Sequence, residues 1–517
     1  MGPQPGRLQG LRAGQQPRLL LPAGGGVPRQ DAQHRGRPPD AAPHLGRNVP
    51  LEALSLHRRE VAVESIEAQI AAHVASVRYE DLPAAAVASA RRAIVDTVAC
   101  SLAGSQVPSV GPVVELADSW GGVAEARVLG FGHRLPAPLA AWCNGMMARV
   151  LELDDCTDTK PMHPSASTVP ALLAIAEARG GISGRELIAA LAVAQDVKIR
   201  LGLAVRVDAM VSGRYNLFKV FGPAAAVARA LRLDVGRTHH ALGIAYAYAC
   251  GEGQSAPEGA SSLPLQQGTV AQNGLIAALL AEKGNTGSRD FLFGRAGYFR
   301  AFEPDHDAAP ITAQLGEQFR GDTISIKPYA ACRCCHEGIE LAQRFHQQFG
   351  GGIPIRRARL HVGPNIRDFV GAQIENATDP FSPTAAQFSL PFTVATALVR
   401  GDFFLRELQP DVIRDPAVRA LAHRIEVIAD PACTSDFVLG RARLEVETES
   451  GETCAFATEL PPGNPSKPLD FAACSAKLRK CAAFSIRPPS APVLQRFIDR
   501  VERLEMLDDT RDLLEGL

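Results

Sequence analysis

A long series of Ala- and Leu-rich segments with helical spacing occupies residues 61–325, and it constrains the fold more than any other feature. In the first segment, Ile66, Ile70 and Val74 fall on one helix face. The tripeptide Asp81-Leu82-Pro83 predicts the start of a second helix, because Asp caps free N–H groups and Pro suits the first turn. Further helices are predicted over 136–153, 168–179, 184–203, 222–232, 236–249 and 267–283. No convincing run of alternating apolar and polar residues, the pattern of a strand, lies between these segments. This half of the chain is therefore predicted to be all-helical.

The pattern changes after residue 325. Strands are predicted at 358–362, 425–429, 442–448 and 454–459, with helices at 336–349, 384–400 and 469–482. The last two strands alternate apolar and polar residues around Ser450-Gly451, which predicts a hairpin. We therefore predict a mostly α chain. Its large helical domain spans 59–325 and is completed by 485–517, and a smaller α+β domain spans 326–484.

Residues 1–58 are predicted to form a disordered tail. The first 50 residues hold seven Arg, no Lys and two acids, together with nine Gly and nine Pro. Such a segment buries too little apolar surface to offset its ordering entropy. It lacks Ser and contains helix-breaking Pro, so it does not fit a mitochondrial transit peptide.

Composition excludes several classes of protein. The net charge is −1, whereas nucleic-acid binding usually shows as a basic excess. No uninterrupted apolar stretch reaches the roughly 18 residues that a membrane-spanning helix needs. Eleven Cys, an odd number without disulfide-framework spacing, are read as reduced thiols. We therefore predict a cytoplasmic protein with neither nucleic-acid nor membrane partners.

The richest stretch of polar residues, 152–165, lies between two predicted helices and holds Asp154, Asp155, Lys160 and His163. Most acidic clusters of this size are solvated loops. However, His163 stands between two prolines, which restrict the backbone. A rigid His near carboxylates makes a plausible general acid/base, because its pKa is near neutral and an acid can raise it.

The same stretch reads DDxxD from Asp154 to Asp158, which offers a rival interpretation. In helical prenyl-transfer enzymes such a triplet holds Mg²⁺, an ion that prefers oxygen ligands. Against this, we find no second acidic metal motif. Aromatic residues make up only 6% of the chain, which is low for a site that stabilises carbocations.

A second dense segment runs from Lys327 to His336 and includes Cys332, Arg333 and Cys335. The CxxC spacing suggests zinc or an iron–sulfur cluster, but the remaining Cys are scattered singly and supply no further ligand set. The Cys are otherwise read as buried small thiols. Arg333 offers a planar fork that matches a carboxylate, and His336 can move a proton.

Over residues 61–510 the sequence resembles the MmgE/PrpD family, which includes 2-methylcitrate dehydratase, cis-aconitate decarboxylase and an iminodisuccinate epimerase. The motifs that carry the resemblance lie at 79–83, 90–96, 144–145 with 154–155, 163–165, 274–281, 294–302, 327–336, 389–392 and 464–469. Each is short, but their order and spacing are specific. The resemblance implies a helical domain plus an α+β domain, a homodimer, an active site in the cleft between domains, and no cofactor.

Five features depart from the family pattern. Cys156 stands where the family usually has Thr, and Leu263 and Gln266 occupy positions of a Lys and a His. Phe392 replaces a frequent Tyr, and no His precedes the helix at Gly222. Donors that neutralise a substrate's charge are lost at these positions, which argues against cis-aconitate decarboxylation in particular.

We therefore expect a cofactor-independent lyase or isomerase that acts on a small polycarboxylic acid by proton transfer next to a carboxylate. It resembles 2-methylcitrate dehydratase, with an epimerase or a degenerate ligand-binding member as alternatives. His163 is expected to be the acid/base, and Asp154 or Asp155 to set its tautomer. The remaining assignments are His336 as a second proton-transfer group, Arg333, Lys219, Lys160 and Gln266 as substrate-binding residues, and no metal ligands.

Overall fold

The structure is a computed structural model in which residues 65–207, 212–371, 377–434 and 439–517 are described. All of them fall within one unit, Val63–Leu517. The predicted tail, 1–58, lies outside the described residues. Within the described ranges, no helix has the length and apolar character required to cross a membrane.

The first two thirds of the described chain are helical, as the sequence predicts. The helices are α1 Ile66–Ser76, α2 Ala84–Gly104, α3 Gly111–Trp120, α4 Ala137–Arg149, α5 Ser165–Arg179, α6 Gly184–Ala204, α7 Phe221–Ala230, α8 Val235–Ala247 and α9 Ser262–Glu282, with short helices at Ser255–Glu258, Tyr298–Phe302 and Ala309–Thr312. Small residues let these helices approach closely. A Cβ atom on Gly145 in α4 would lie 2.9 Å from Cα of Gly268 in α9, so the two backbones are in contact.

Two features of this part differ from the prediction. Two short strand pairs interrupt the helices: β1 Ala126–Val128 with β2 His133–Leu135, and β3 Cys156–Thr157 with β4 Ile324–Ser325. Helix α2 does begin directly after Pro83, but Asp81 does not cap it. The Oδ2 atom of Asp81 instead accepts a hydrogen bond from the N–H of Arg78 at 2.9 Å.

A four-stranded mixed sheet forms the centre of the C-terminal part. Its strands are β5 Ile355–Val362, β6 Ile425–Ala429, β7 Ala442–Thr448 and β8 Thr453–Thr458. They are ordered β6-β5-β7-β8, with β5 parallel to β6 and antiparallel to β7. The predicted β7–β8 hairpin is confirmed, and Gly451 adopts the positive φ of 87° that its turn requires.

Helices cover this sheet and return to the first part of the chain. They are α10 His336–Phe349, α11 Pro364–Val370, α12 Leu390–Arg400, α13 Pro416–Ala422, α14 Phe471–Ala482 and α15 Ala491–Glu502, with short helices at Pro383–Gln387 and Pro410–Ile413. The helix predicted over 384–400 is thus two helices, because Ser389 caps the second by accepting from the N–H of Phe392. Helix α14 packs on α2, and Lys477 on α14 contacts Asp96 on α2 at 2.5 Å.

Candidate active site

A cavity of about 300 Å³ lies where the loop after α4 meets the segment after β4. The strand pair β3–β4 joins these two stretches, since Cys156 pairs with Ser325 and Thr157 with Ile324. The pairing brings Lys327 to the loop that carries His163. The charged and histidine side chains on the cavity wall are Arg149, Lys160, Lys327, Arg333, Glu152, Asp158 and His163.

The ring of His163 is held in one orientation by its Nδ1 atom. Nδ1 lies 3.0 Å from Oδ2 of Asp154 and 3.1 Å from the backbone oxygen of Asp155, to which it donates a hydrogen bond. Both neighbours accept protons, so Nδ1 carries the hydrogen and Nε2 is the basic nitrogen of the neutral ring. In the described part of the chain, Nε2 has no hydrogen-bond partner.

Burial and nearby charges keep both His163 and Asp154 deprotonated at neutral pH. Burial lowers the pKa of His163, and the nearby positive charge of Arg149 lowers it further, although Asp154 acts in the opposite direction. Burial disfavours the ionised form of Asp154, but His163 and Arg149 outweigh this effect and lower its pKa. The pair therefore consists of a neutral imidazole beside an ionised carboxylate at neutral pH.

The carboxyl group of Asp155 points away from His163. It accepts hydrogen bonds from the backbone N–H of Ser165 at 3.1 Å and from the Ser165 hydroxyl. Burial raises the pKa of Asp155 to about 7, and the neighbouring carboxylate of Asp96 acts in the same direction. Of the two acids expected to orient the histidine, Asp154 contacts it through its side chain and Asp155 through its main chain.

A buried network of cations surrounds Glu152. This residue has a φ of 51°, a left-handed conformation that turns the chain after α4. Its carboxylate contacts Arg149 and lies 3.2 Å from Nζ of Lys327, which also donates to the Glu152 backbone oxygen at 3.0 Å. Burial alone would lower the pKa of Lys327, but Glu152 outweighs it and raises that pKa.

Positive charge predominates on the cavity wall. Four cationic and two acidic side chains line it among the described residues, a surplus of two positive charges. The ionised Asp154 behind the wall reduces the surplus to one while His163 is neutral, and protonation of His163 restores it. The cavity is therefore suited to a small molecule with more than one negative charge.

Arg333 lies on the cavity wall, but its guanidinium is already bound. Its Nε and one terminal nitrogen each donate to Asp158 at 2.9 Å, and the other terminal nitrogen donates to the backbone oxygen of Pro462 at 2.6 Å. Asn464 donates to the same carboxylate at 2.8 Å. Arg333 was expected to bind substrate carboxylates. The geometry does not favour this role, because Asp158 already occupies the planar guanidinium group.

The structure does not bring His336 and His163 to one cavity. In the described part of the chain, His336 is not on the cavity wall and lies fully buried behind Arg333. Its Nδ1 accepts from Arg333 at 3.2 Å, and its Nε2 donates to the backbone oxygen of Ala331 at 3.3 Å. Burial and the charge of Arg333 lower its pKa, so the ring is neutral and has no free nitrogen. His336 is thus placed to orient Arg333 rather than to reach a substrate.

The other three expected substrate-binding residues divide into two groups. Lys160 lies on the cavity wall, and its Nζ donates to the backbone oxygen of Arg206 at 3.4 Å. Lys219 and Gln266 contact each other at 3.1 Å and lie outside the described wall, with Lys219 against the ring of Tyr215. Burial lowers the pKa of Lys219 to about 7.

The two metal interpretations are not supported by the arrangement of their donors. The three carboxylates of the DDxxD pattern face different partners: His163 for Asp154, Ser165 for Asp155 and Arg333 for Asp158. The residues with described placement include no cluster of three or more His, Cys, Asp or Glu that could hold a metal ion.

Two of the departures from the family pattern lie on the cavity wall. Cys156 and Leu263 both line it, so each changes the surface that a ligand meets. Phe392 is fully buried in the core against Phe403 and lies outside the described wall. The missing hydroxyl at that position therefore does not alter the cavity.

Several residues of the site were not selected from the sequence. Arg149 contacts Glu152, yet it lies in no pattern that indicates chemistry, and Asp158 was noticed only as part of the DDxxD pattern and not as the partner of Arg333. The spacing of Arg149 and Glu152 does place them one helical turn apart, a weak signal for an ion pair. No sequence pattern indicated Lys198 either, although its Nζ donates to the backbone oxygens of His163 and Pro164.

Comparison of the sequence with known proteins identifies related proteins. The family model described as MmgE/PrpD N-terminal domain matches residues 68–311, and the MmgE/PrpD C-terminal domain matches 329–502. A cis-aconitate decarboxylase from Aspergillus terreus (strain NIH 2624 / FGSC A1156) is 28% identical over 487 aligned residues, covering 88% of this chain and 96% of that protein. The cis-aconitate decarboxylase-like protein oryM of Aspergillus oryzae is 28% identical, covering 87% and 96%. The human cis-aconitate decarboxylase is 24% identical, covering 88% and 95%.

Proposed function

The chain belongs to the MmgE/PrpD family, and from this premise we propose that it is a cofactor-independent lyase for a small polycarboxylic acid. The reaction would move a proton at a carbon next to a carboxylate. Relatives named as cis-aconitate decarboxylases align with this chain over nearly their whole length, and this supports a lyase of the same substrate class. We also propose that the protein is a homodimer and that it is located in the cytoplasm. Analytical ultracentrifugation would test the homodimer.

The His163–Asp154 pair on a cationic cavity wall is the observation that carries this proposal. A neutral imidazole whose Nδ1 is fixed at 3.0 Å from Asp154 presents Nε2 as a base. Once Nε2 accepts a proton, the ionised Asp154 stabilises the imidazolium. A bound polyanion raises the pKa of the same ring, so His163 also serves as the acid that returns a proton to carbon.

The positively charged side chains of the wall are proposed to stabilise the negative charge that develops during the reaction. Removal of a proton next to a carboxylate adds a negative charge to the substrate, and loss of carbon dioxide moves the charge of the departing carboxylate onto carbon. Lys327 and Arg149 are fixed by Glu152 before the substrate arrives, so they stabilise that charge without reorganisation. Lys160, on the same wall, is proposed to bind a carboxylate at the rim of the cavity.

The choice of lyase over epimerase rests on the number of acid/base groups. An epimerase that abstracts and returns protons on opposite faces needs two such groups. Among the described wall residues, His163 is the one histidine, and His336 is turned away behind Arg333. A single histidine next to cations therefore supports dehydration or decarboxylation over an epimerisation carried by two histidines.

The proposal is tested by incubating the protein with cis-aconitate, 2-methylcitrate and related acids in D₂O and following the products by NMR. The expected result is turnover of one acid. Decarboxylation should place a solvent deuteron on the carbon next to a carboxylate, whereas dehydration should release water and remove a proton from that carbon without adding deuterium. His163→Gln should reduce turnover by about 10²–10⁴-fold, the usual range for a lost acid/base group. The control His133→Gln removes an exposed ring and should leave turnover unchanged.

Two results would contradict the proposal. Full activity in His163→Gln would show that the proton is carried elsewhere. Binding of an acid, measured by calorimetry, without any turnover would favour the degenerate ligand-binding member instead.

A further inference from the structure

A second cavity, of about 590 Å³, adjoins the cavity that holds His163. Arg149, Glu152 and Leu263 line both cavities, so these three side chains mark the border between them. Arg149 and Glu152 contact each other, and Leu263 is the one apolar side chain that the two described walls share. The second cavity is therefore an immediate neighbour of the groups that are proposed to bind the substrate.

The wall of the second cavity is suited to hydrocarbon rather than to charge. Among its described residues, Arg149 and Glu152 are the only charged ones, and they form an ion pair. Buried aliphatic side chains of Ala103, Leu405 and Leu408 contribute to the same wall. A carboxylate in this cavity would meet only a cation that Glu152 already binds, so its burial would be unfavourable.

One part of the second cavity is open to solvent. Gln106, Pro108, Ser261 and Gln409 belong to its wall and are exposed. The volume of the cavity falls in the range of small-molecule sites. A flexible chain that occupies it is therefore not forced to end in a closed space, because its far end can reach water.

We propose that the substrate is a polycarboxylic acid that carries a hydrocarbon chain of several carbons, with its carboxylates in the cavity of His163 and its chain in the second cavity. This inference rests on the proposed function, because it assumes that the first cavity binds the acid. Leu263, at the border, is the residue that would favour a chain over a further charged group. Each methylene that leaves water for this wall adds to the binding free energy, and a short acid forgoes that contribution.

The experiment measures binding by calorimetry and turnover by NMR for citrate and its 2-methyl, 2-butyl and 2-hexyl derivatives, together with the matching aconitates. We expect the affinity to rise about two- to fourfold with each buried methylene and to level off once the chain reaches solvent. For the acids that are turned over, kcat/KM should rise in parallel. Hexanoate, which has the chain without the polyacid group, should bind far more weakly than hexylcitrate.

Two pairs of variants locate the chain. Leu263→Lys places a charge at the border and should abolish the gain with chain length, whereas Leu263→Met keeps an apolar side chain and should retain it. Ala260→Trp, at a half-buried wall position, fills part of the second cavity and should reduce the ratio of hexylcitrate to citrate affinity about tenfold. Its matched control is Ala473→Trp, at a half-buried position on α14 outside both described walls, which should keep that ratio.

Failure of this inference can be told apart from failure of the proposed function. Tighter binding with chain length but no turnover of any acid would contradict the lyase and leave the inference standing. Turnover of a short acid, with no gain for longer chains, would overturn the inference and leave the lyase standing. Hexanoate that binds as tightly as hexylcitrate would also overturn it, and the absence of binding by every acid would refute both. These results come from the natural sequence, so misfolding of a variant cannot mask them.

Discussion

Replacing Asp154 with Asn is the sharpest test of how the site works. The substitution keeps the size of the side chain and removes the charge that faces Nδ1 of His163 at 3.0 Å. At an effective dielectric constant of about 20, two unit charges at this separation interact by about 5 kcal/mol, or roughly four pKa units. The Asn oxygen and the Asp155 backbone oxygen still face Nδ1, so the pKa of His163 should fall further below its usual value, by less than this Coulomb energy alone implies.

The direction of the effect follows from the charges that remain. Burial and Arg149 already lower the pKa of His163, and Asp154→Asn removes the adjacent carboxylate that opposes them and leaves only the charge of Glu152 on the opposing side. The ring should stay neutral to a lower pH than in the parent protein, and it should be a weaker base. Turnover should then fall about 10²–10⁴-fold, and the acid limb of its pH profile should move to lower pH.

The assay is a titration of the protein labelled at ¹³Cε1 of histidine, with turnover measured on the same samples. Asp118→Asn is the matched control, because Asp118 lies 3.6 Å from His133 in an exposed pair that solvent screens. Turnover and melting temperature should not change in the control. The reasoning is refuted if the His163 resonance in Asp154→Asn titrates at the same pH as in the parent protein, or at a higher one.

Three further predictions concern the stability of the chain. Lys198 and Lys219 are both buried with a pKa lowered to about 7, but Lys198 donates to three oxygens and Lys219 to one. Lys198→Met should therefore cost about 2–4 kcal/mol more than Lys219→Met in urea unfolding, and equal losses would contradict this. Burial raises the pKa of Glu337 from 4.5 to about 8, so the stability present below about pH 4.5 is lost as the pH rises toward 8. Glu337→Gln should match the parent near pH 4.5 and exceed its unfolding free energy by about 2–4 kcal/mol at pH 9, which a pH series of melts would check. Finally, a chain that begins at Arg59 should keep its melting temperature, and a drop of several degrees would show that the preceding residues stabilise the fold.

Most of the fold could be read from periodicity because the elements are long and consistent. The strands β6 and β7 and the helix α10 begin and end where alternation and helical spacing place them. The errors occur where a tertiary partner decides the local structure. The two-residue strand β3 carries no periodic signal and exists because β4, far along the chain, pairs with it.

The site was predicted in part for the same reason. A His between two prolines and next to adjacent acids is a local pattern, and it identified His163 and Asp154. Arg333 was predicted to bind substrate and His336 to transfer a proton, but the sequence could not show that Asp158 binds Arg333 and that His336 is turned inward. Side-chain pairings between residues 175 positions apart have no signal in one sequence.

The three buried lysines behind the site explain why its geometry depends on distant parts of the chain. The loop from Glu152 to His163 is buried and mostly irregular, so its backbone oxygens lack partners within a helix or sheet. Lysines from α6, from the segment after β4 and from α14 donate to these oxygens at 2.7–3.0 Å. The pairs are Lys198 with His163, Lys327 with Glu152, and Lys477 with Leu153. Lys327 and Lys477, whose pKa values are raised, bring positive charge to a region that holds Asp96, Asp154 and Asp155, and this charge offsets the negative charge of the buried acidic loop. The orientation of the His163–Asp154 pair is therefore a property of the whole fold rather than of the motif.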